Sequence, residues 1–157
     1  MTWSFDIRNG DLSLGGPGGI ATVTGKQKLL QDLRCRLLEP IGTDPVNPTY
    51  GSNLDGGIDS IGNQVVSHIG GLLSAAAIME IEAEVIRCLQ THQKQQIDRI
   101  KREQDLYAGN TYFASSEILY QINSVEPTQI GSTLLVKVSI RTADGQSLQI
   151  VQPVGVL

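Results

Sequence analysis

The sequence predicts an α+β fold: an N-terminal β-hairpin, helices that include one long helix, and a C-terminal antiparallel β-meander packed on the helices. Asn9-Gly10 stands between two short alternating stretches, a helical apolar period dominates the middle of the chain, and strand-like alternation returns from Ser116 onward. Strands and helices come in runs instead of alternating, which argues against a parallel α/β sheet.

Taken in order, "SFDIRNGDLSL" reads as a β-hairpin, because Asn and Gly both tolerate the positive φ that a tight hairpin turn demands. "GGPGG", Gly15 to Gly19, then reads as a flexible connection into the β-branched "IATVT". Thr24 with Gln27 three residues on has the capping-box pattern, so a first helix runs from about Gly25 to Glu39. Leu29, Leu30, Leu33 and Leu37 give it one apolar face, and Pro40, lacking an amide hydrogen, ends it.

A turn-rich corner, Leu38 to Gly56, follows. In "DSIGNQVVSHIGG" the spacing of Ile61, Val65, Val66 and Ile69 predicts a short helix stopped by Gly70-Gly71. From Leu72 to about Glu103 a long helix is expected, with a stripe of Ile78, Ile81, Val85, Cys88 and Leu89 widened by Met79, Ala83 and Ile86. Glu80, Glu82 and Glu84 sit in its first half and Arg99, Lys101 and Arg102 near its end, the arrangement a helix dipole favours. After Leu89 the run "QTHQKQQ" is polar all round, so segment 90–105 is expected to protrude from the core. "YAGNTYF" marks a loop. Three alternating strands complete the chain, with Leu134, Val136, Val138 and Ile140 on one face and a turn at Ala143-Asp144-Gly145.

At 157 residues the chain reads as a single domain, 1–157. A hydrophobic share of 40% with 18% charged residues describes an ordinary water-soluble chain, and no apolar run approaches the roughly 20 residues of a bilayer-spanning helix. No membrane partner is expected. The N-terminus lacks the pattern of a signal peptide, which predicts folding in the cytoplasm, where Cys35 and Cys88 stay reduced. A net charge of −4 opposes nucleic-acid binding, so the expected partners are proteins.

Catalytic readings find little support. "GGIATVTGKQ" looks like a phosphate loop, but five residues instead of four separate Gly19 from Gly25, and Gln27 occupies the place of the magnesium-binding hydroxyl. His68 and His92 lack any neighbouring nucleophile or metal-ligand pattern, and no cofactor is implied. Glu39, Asp44, Asp55 and Asp59 crowd the corner, and glycoside hydrolysis uses paired carboxylates. Turn and cap roles account for the same residues: Glu39 at a helix end, Asp44 before Pro45, and Asp55 or Asp59 near the next helix start.

Together, Asp11-Leu12, Gln31 to Leu38 ("QDLRCRLL"), Pro40 to Gly42 and "PTYGSNL" from Pro48 to Leu54 resemble the opening of phage baseplate wedge proteins of the gene-twenty-five type, related to the TssE component of type VI secretion. The order of long helix and β-meander is similar too. Two departures stand out: Gly42-Thr43-Asp44 replaces the family's charged Gly-Glu-Arg segment, and its Glu-Pro-Arg motif is not intact, Arg99 standing near its position.

The resemblance implies a non-enzymatic part of a contractile-tail baseplate in the virion, assembled in the host cytoplasm in six copies. Its implied partners are other wedge proteins, the tail sheath, and tail tube or hub proteins, with sheath assembly started by shared β-strands. The interface residues expected are Pro48, Tyr50, Gly51 and Leu54 at the corner, Ile97, Arg99 and Ile100 on the outer helix, and Pro153 and Val154 at the last strand. Some members of that family have been labelled lysozymes, so a tail-associated peptidoglycan hydrolase is the rival reading.

Overall fold

The computed structural model describes residues 2–8, 11–15, 19–58, 62–65, 74–131 and 133–156. It is mixed α+β. Strand β1 (Trp3–Phe5) pairs antiparallel with β4 (Thr22–Thr24), and β2 (Ile7–Arg8) pairs with β3 (Asp11–Leu12). The strands flanking the predicted Asn9-Gly10 turn therefore pair, while those two residues lie outside the described ones. Most of the expected flexible link at Gly15 to Gly19, residues 16–18, lies outside the described residues; at its ends Leu14 bridges Ile20, and the Gly15 amide donates to the Gly19 carbonyl at 2.8 Å.

Helix α1 (Gly25–Leu38) buries Leu29, Leu33 and Leu37, and ends before Pro40 as predicted. Its Gln31 side chain accepts from the Ile7 amide at 2.8 Å and donates to the Phe5 carbonyl at 2.7 Å, fastening the ribbon to the helix. The predicted capping box is not formed, since Thr24 makes no side-chain cap bond. The Gly25 amide is taken at 2.9 Å by Glu117, a residue distant in sequence.

Between the helices, β5 (Pro40–Ile41) runs parallel to β6 (Ser52–Ile58), and β7 (Gln64–Val65) pairs antiparallel with β6. The predicted short helix is corrected here: Gln64 and Val65 are strand, and residues 59–61 and 66–71 of that segment, with His68 and the Gly70-Gly71 stop, lie outside the described residues.

Helix α2 (Ala75–Leu106) has 32 residues, about 48 Å of helix, and Ser74 caps it by accepting the Ala77 amide at 3.1 Å. Ile81, Val85, Cys88 and Leu89 are buried as expected, but Met79 and Ala83 face outward. The charged residues lie inside the terminal turns, which carry no acidic group at the start and no basic group at the end, so the dipole has little part in placing them. Segment 90–105 does not protrude along its whole girth. Gln96 and Glu103 are buried, and Gln96 donates to the Glu117 carbonyl at 2.9 Å and accepts the Leu119 amide at 3.0 Å. Gln93 donates to the Tyr120 carbonyl at 2.5 Å, and Arg36 of α1 donates to Gln95.

A 3-10 turn, Ser115–Glu117, leads into the meander of β8 (Leu119–Ile130), β9 (Thr133–Thr142) and β10 (Ser147–Val156), in spatial order β10-β9-β8. Leu134, Val136, Val138 and Ile140 are at most 1% exposed, and each contributes about 2 kcal/mol by leaving water. They meet Leu119, Val125 and Ile150 of the same sheet and the apolar faces of both helices in one core.

Glu117, itself 1% exposed, ties three segments together. It accepts the Thr2 hydroxyl at 2.7 Å and the amides of Thr2, Gly25 and Ala114 at 3.2, 2.9 and 3.3 Å. Burial pushes its pKa up, but the bonds from Thr2, Gly25 and Ala114 together outweigh that and hold it below the usual carboxylate value. Glu117→Ala, which leaves buried donors unpaired, is expected to cost about 3 kcal/mol by urea unfolding at pH 7. Because the folded pKa is the lower one, the wild-type advantage should be lost as pH falls from the ordinary 4.5 through the folded value.

Candidate functional site

The corner is built outward from the end of α1. The Ser52 amide reaches the Glu39 carbonyl at 2.8 Å and its hydroxyl the Leu37 carbonyl at 2.7 Å, which brings β6 against the helix end. Such an approach requires glycine beforehand. Gly51 has φ +97, and a Cβ there would stand 2.5 Å from the Glu39 oxygen.

α2 grips the corner from the other side. The Gly51 carbonyl accepts from Arg87 and from the Cys88 thiol, each at 3.3 Å. Glu84, 7% exposed, takes the Asn53 amide at 2.8 Å and binds Arg87 through both oxygens at 2.6 Å. Tyr50 lies half-buried over the Arg36 guanidinium, 4.6 Å from ring centroid to cation. Burial, assisted by Cys35, pushes its phenol up to about 12. Of the corner residues expected at an interface, Gly51 and Leu54 are buried, Tyr50 is half-buried and Pro48 is exposed.

The other expected interface residues occupy two further elements. On α2, Ile97 is exposed and Ile100 half-buried. Arg99 bonds Glu103 at 3.2 Å and lies 5.1 Å over the Phe113 ring, and Glu103 in turn accepts the Tyr112 amide at 3.0 Å and the Thr111 hydroxyl at 2.9 Å. The Tyr112 amide first, then Thr111 and Arg99 against a smaller effect of burial, holds the Glu103 carboxyl below its usual range. Arg99 thus orders the loop after α2. Pro153 is exposed in β10 opposite Leu135, and Val154 pairs with Leu134, so the last strand continues past Pro153.

The corner acids sit where turn chemistry places them. Glu39 is exposed and accepts the Thr43 hydroxyl at 2.7 Å, and Asp44 accepts the Val46 amide at 2.9 Å, the turn-starting role read from the sequence. Asp55 is exposed within β6, not at a helix start, and Asp59 is outside the described residues. A broad depression of about 330 Å³ is lined by Asn53, Glu80, Ala83, Glu84 and Arg87. Its buried acid, Glu84, is already engaged by Arg87 and Asn53.

Neither cysteine is an activated thiol: burial, then Glu84, pushes Cys88 up to about 12, and burial, then Asp32 and Glu39, raises Cys35. His92 is neutral at pH 7, since burial, then Arg36 and Lys28, brings its pKa down to about 3. Among the described residues no group of three or more His, Cys, Asp or Glu side chains is placed to hold a metal ion, and no helix is long and apolar enough to cross a membrane.

The architecture has a solved counterpart. The crystal structure of a "putative tail lysozyme" from Geobacter sulfurreducens superposes with a TM-score of 0.54 at 14% identity, covering 84% of this chain and 91% of that one. At that identity the likeness is one of fold. No family model matches the chain, and no curated protein matches it.

The residues that position these surfaces and that sequence reasoning missed are Glu84, Glu103, Gln96 and Glu117. Each is a polar residue inside a helix or turn whose partner lies on another element. The spacing of Gln93 and Gln96, one helical turn apart, was the signal available for a docked polar face.

Gly51→Ala is expected to destabilise by about 3 kcal/mol, since strain at positive φ adds to a backbone clash. Gly109→Ala, at φ +89 with nothing within 4 Å, should cost about 1 kcal/mol. Comparing the two thermal melts separates close approach from backbone conformation.

Proposed function

We propose that this chain is a tail-associated structural protein, a baseplate wedge component on which the tail sheath begins to assemble by adding a β-strand to β10. The observation that carries the reading is the position of β10 at the edge of its sheet. Proline fits a ladder where its nitrogen faces away from the paired strand. With Pro153 so placed, strand alternation turns the amide and carbonyl groups of Gln149 and Val151 outward as well. An extended segment can pair with that row through main-chain bonds, and Pro153 limits how far the pairing runs.

Further support comes from the fold, shared with a protein named as a tail lysozyme, and from the corner motif, whose residues lock α1, β6 and α2 together. In this reading Ile97 and Ile100 face a wedge partner, tube or hub proteins lie nearby, and six copies stand around a baseplate put together in the host cytoplasm. Val151→Pro removes an outward donor while sparing the bonds to β9. It is expected to lower sheath assembly on purified baseplates by about tenfold with little loss of stability, and undiminished assembly would refute strand addition.

The name of the Geobacter protein favours a second reading, a tail-borne peptidoglycan hydrolase. A cell-wall digestion assay with wild type, Glu39→Gln and Asp44→Asn decides it. The structural reading expects no digestion by any of the three, and wild-type digestion lost in a variant would replace it.

A further inference from the structure

The outward face of α2 has a pattern of which the proposed function uses only Ile97. Ala76, Ala83, Gln90, Ile97 and Gln104 recur every seventh position and all are exposed, so they form one stripe along the helix. At Ala83 the stripe sinks into the depression of about 330 Å³, flanked by Glu80 and Arg87. Two seven-residue repeats later, about 21 Å along the axis, Ile97 stands out at 41% exposure between Lys94 and Lys101. A hollow and a knob thus lie on one stripe, at equal distances either side of Gln90.

We propose that this face docks a second copy of the chain, with the two α2 helices antiparallel about a two-fold axis at Gln90. Each Ile97 enters the Ala83 hollow of the other copy. Reversal of direction sets the order Glu80, Ala83, Arg87 against Lys101, Ile97, Lys94, so each Lys101 meets a Glu80. Arg87 faces Lys94, but Glu84 already neutralises it at 2.6 Å. The contact is self-complementary, and two-fold symmetry makes every pair twice.

Charge selects the antiparallel arrangement of the two copies over a parallel one. Of the charges that flank the stripe, Glu80 lies in the first half of α2 and Lys94 and Lys101 in the second, and these three hold no ion-pair partner among the described residues. Antiparallel packing sets Glu80 against Lys101, whereas parallel packing in register sets each of these charges against its own copy. Ile97 is shared with the wedge surface proposed above, so docking onto a wedge would displace the second copy.

Sedimentation velocity of the full chain in low salt, from about 5 to about 200 µM, tests the proposal. The mass should climb from monomer toward dimer with concentration and fall back as salt is added. Glu80→Lys and Lys101→Glu should each weaken association by about tenfold, and the two combined should restore it, which also shows that the exposed substitutions leave the fold intact. Ile97→Asp should abolish it. A chain that stays monomeric throughout, or a combined variant weaker than either single one, overturns the proposal. Failure of strand addition would appear in sheath assembly and leave this measurement unchanged.

Discussion

A carboxylate at 1% exposure must be saturated with hydrogen bonds or the fold does not hold, and Glu117 meets that demand by drawing in groups from the N-terminal segment, the start of α1 and its own turn. Thr2 fixes the first strand, Gly25 supplies the first amide of α1, and Ala114 closes the turn that leads into the meander. The helix start that Thr24 leaves uncapped is therefore completed by the segment that also begins the sheet. α1, the N-terminal ribbon and the meander share one electrostatic anchor, and the core that includes Leu33, Val85, Val138 and Ile150 lies between the helices and the sheet.

A second acid does comparable work at the corner. Glu84 binds Arg87 on its own helix and the Asn53 amide on β6, while Arg87 and Cys88 reach Gly51. The seven-residue strand β6 is thereby held between two helices, with Leu54 inside. Prolines and Tyr50 shape the surface of this joint, and the polar contacts beneath decide where it sits.

These two joints mark the boundary of what the sequence reveals. The meander and the buried stripes of both helices are legible because burial there is periodic. Leu134 to Ile140 alternate, and Ile81, Val85, Cys88 and Leu89 recur on one helical face. The roles of Glu117 and Glu84 are not, because their partners lie 92 and 31 residues away for Gly25 and Asn53. Val65 fits a helical period, yet β6 offers it a strand to pair with, and tertiary pairing outweighs local preference. "QTHQKQQ" reads as solvent-facing because polar side chains usually are, but Gln96 satisfies backbone groups of Glu117 and Leu119 that would otherwise be buried without partners. Of the expected interface residues, Ile97 and Pro153 are exposed, while Gly51 and Leu54 serve the interior.

The Gln31 amide, seen above as a fastener, also imitates a neighbouring strand. It offers an acceptor to Ile7 and a donor to Phe5, the pair of bonds that an adjoining chain would make there. A ribbon carrying Trp3 at 62% and Phe5 at 45% exposure is a hazard for uncontrolled stacking and fibre growth in a crowded cell. By occupying that edge from within, α1 makes the apolar ribbon a poor template for any further strand.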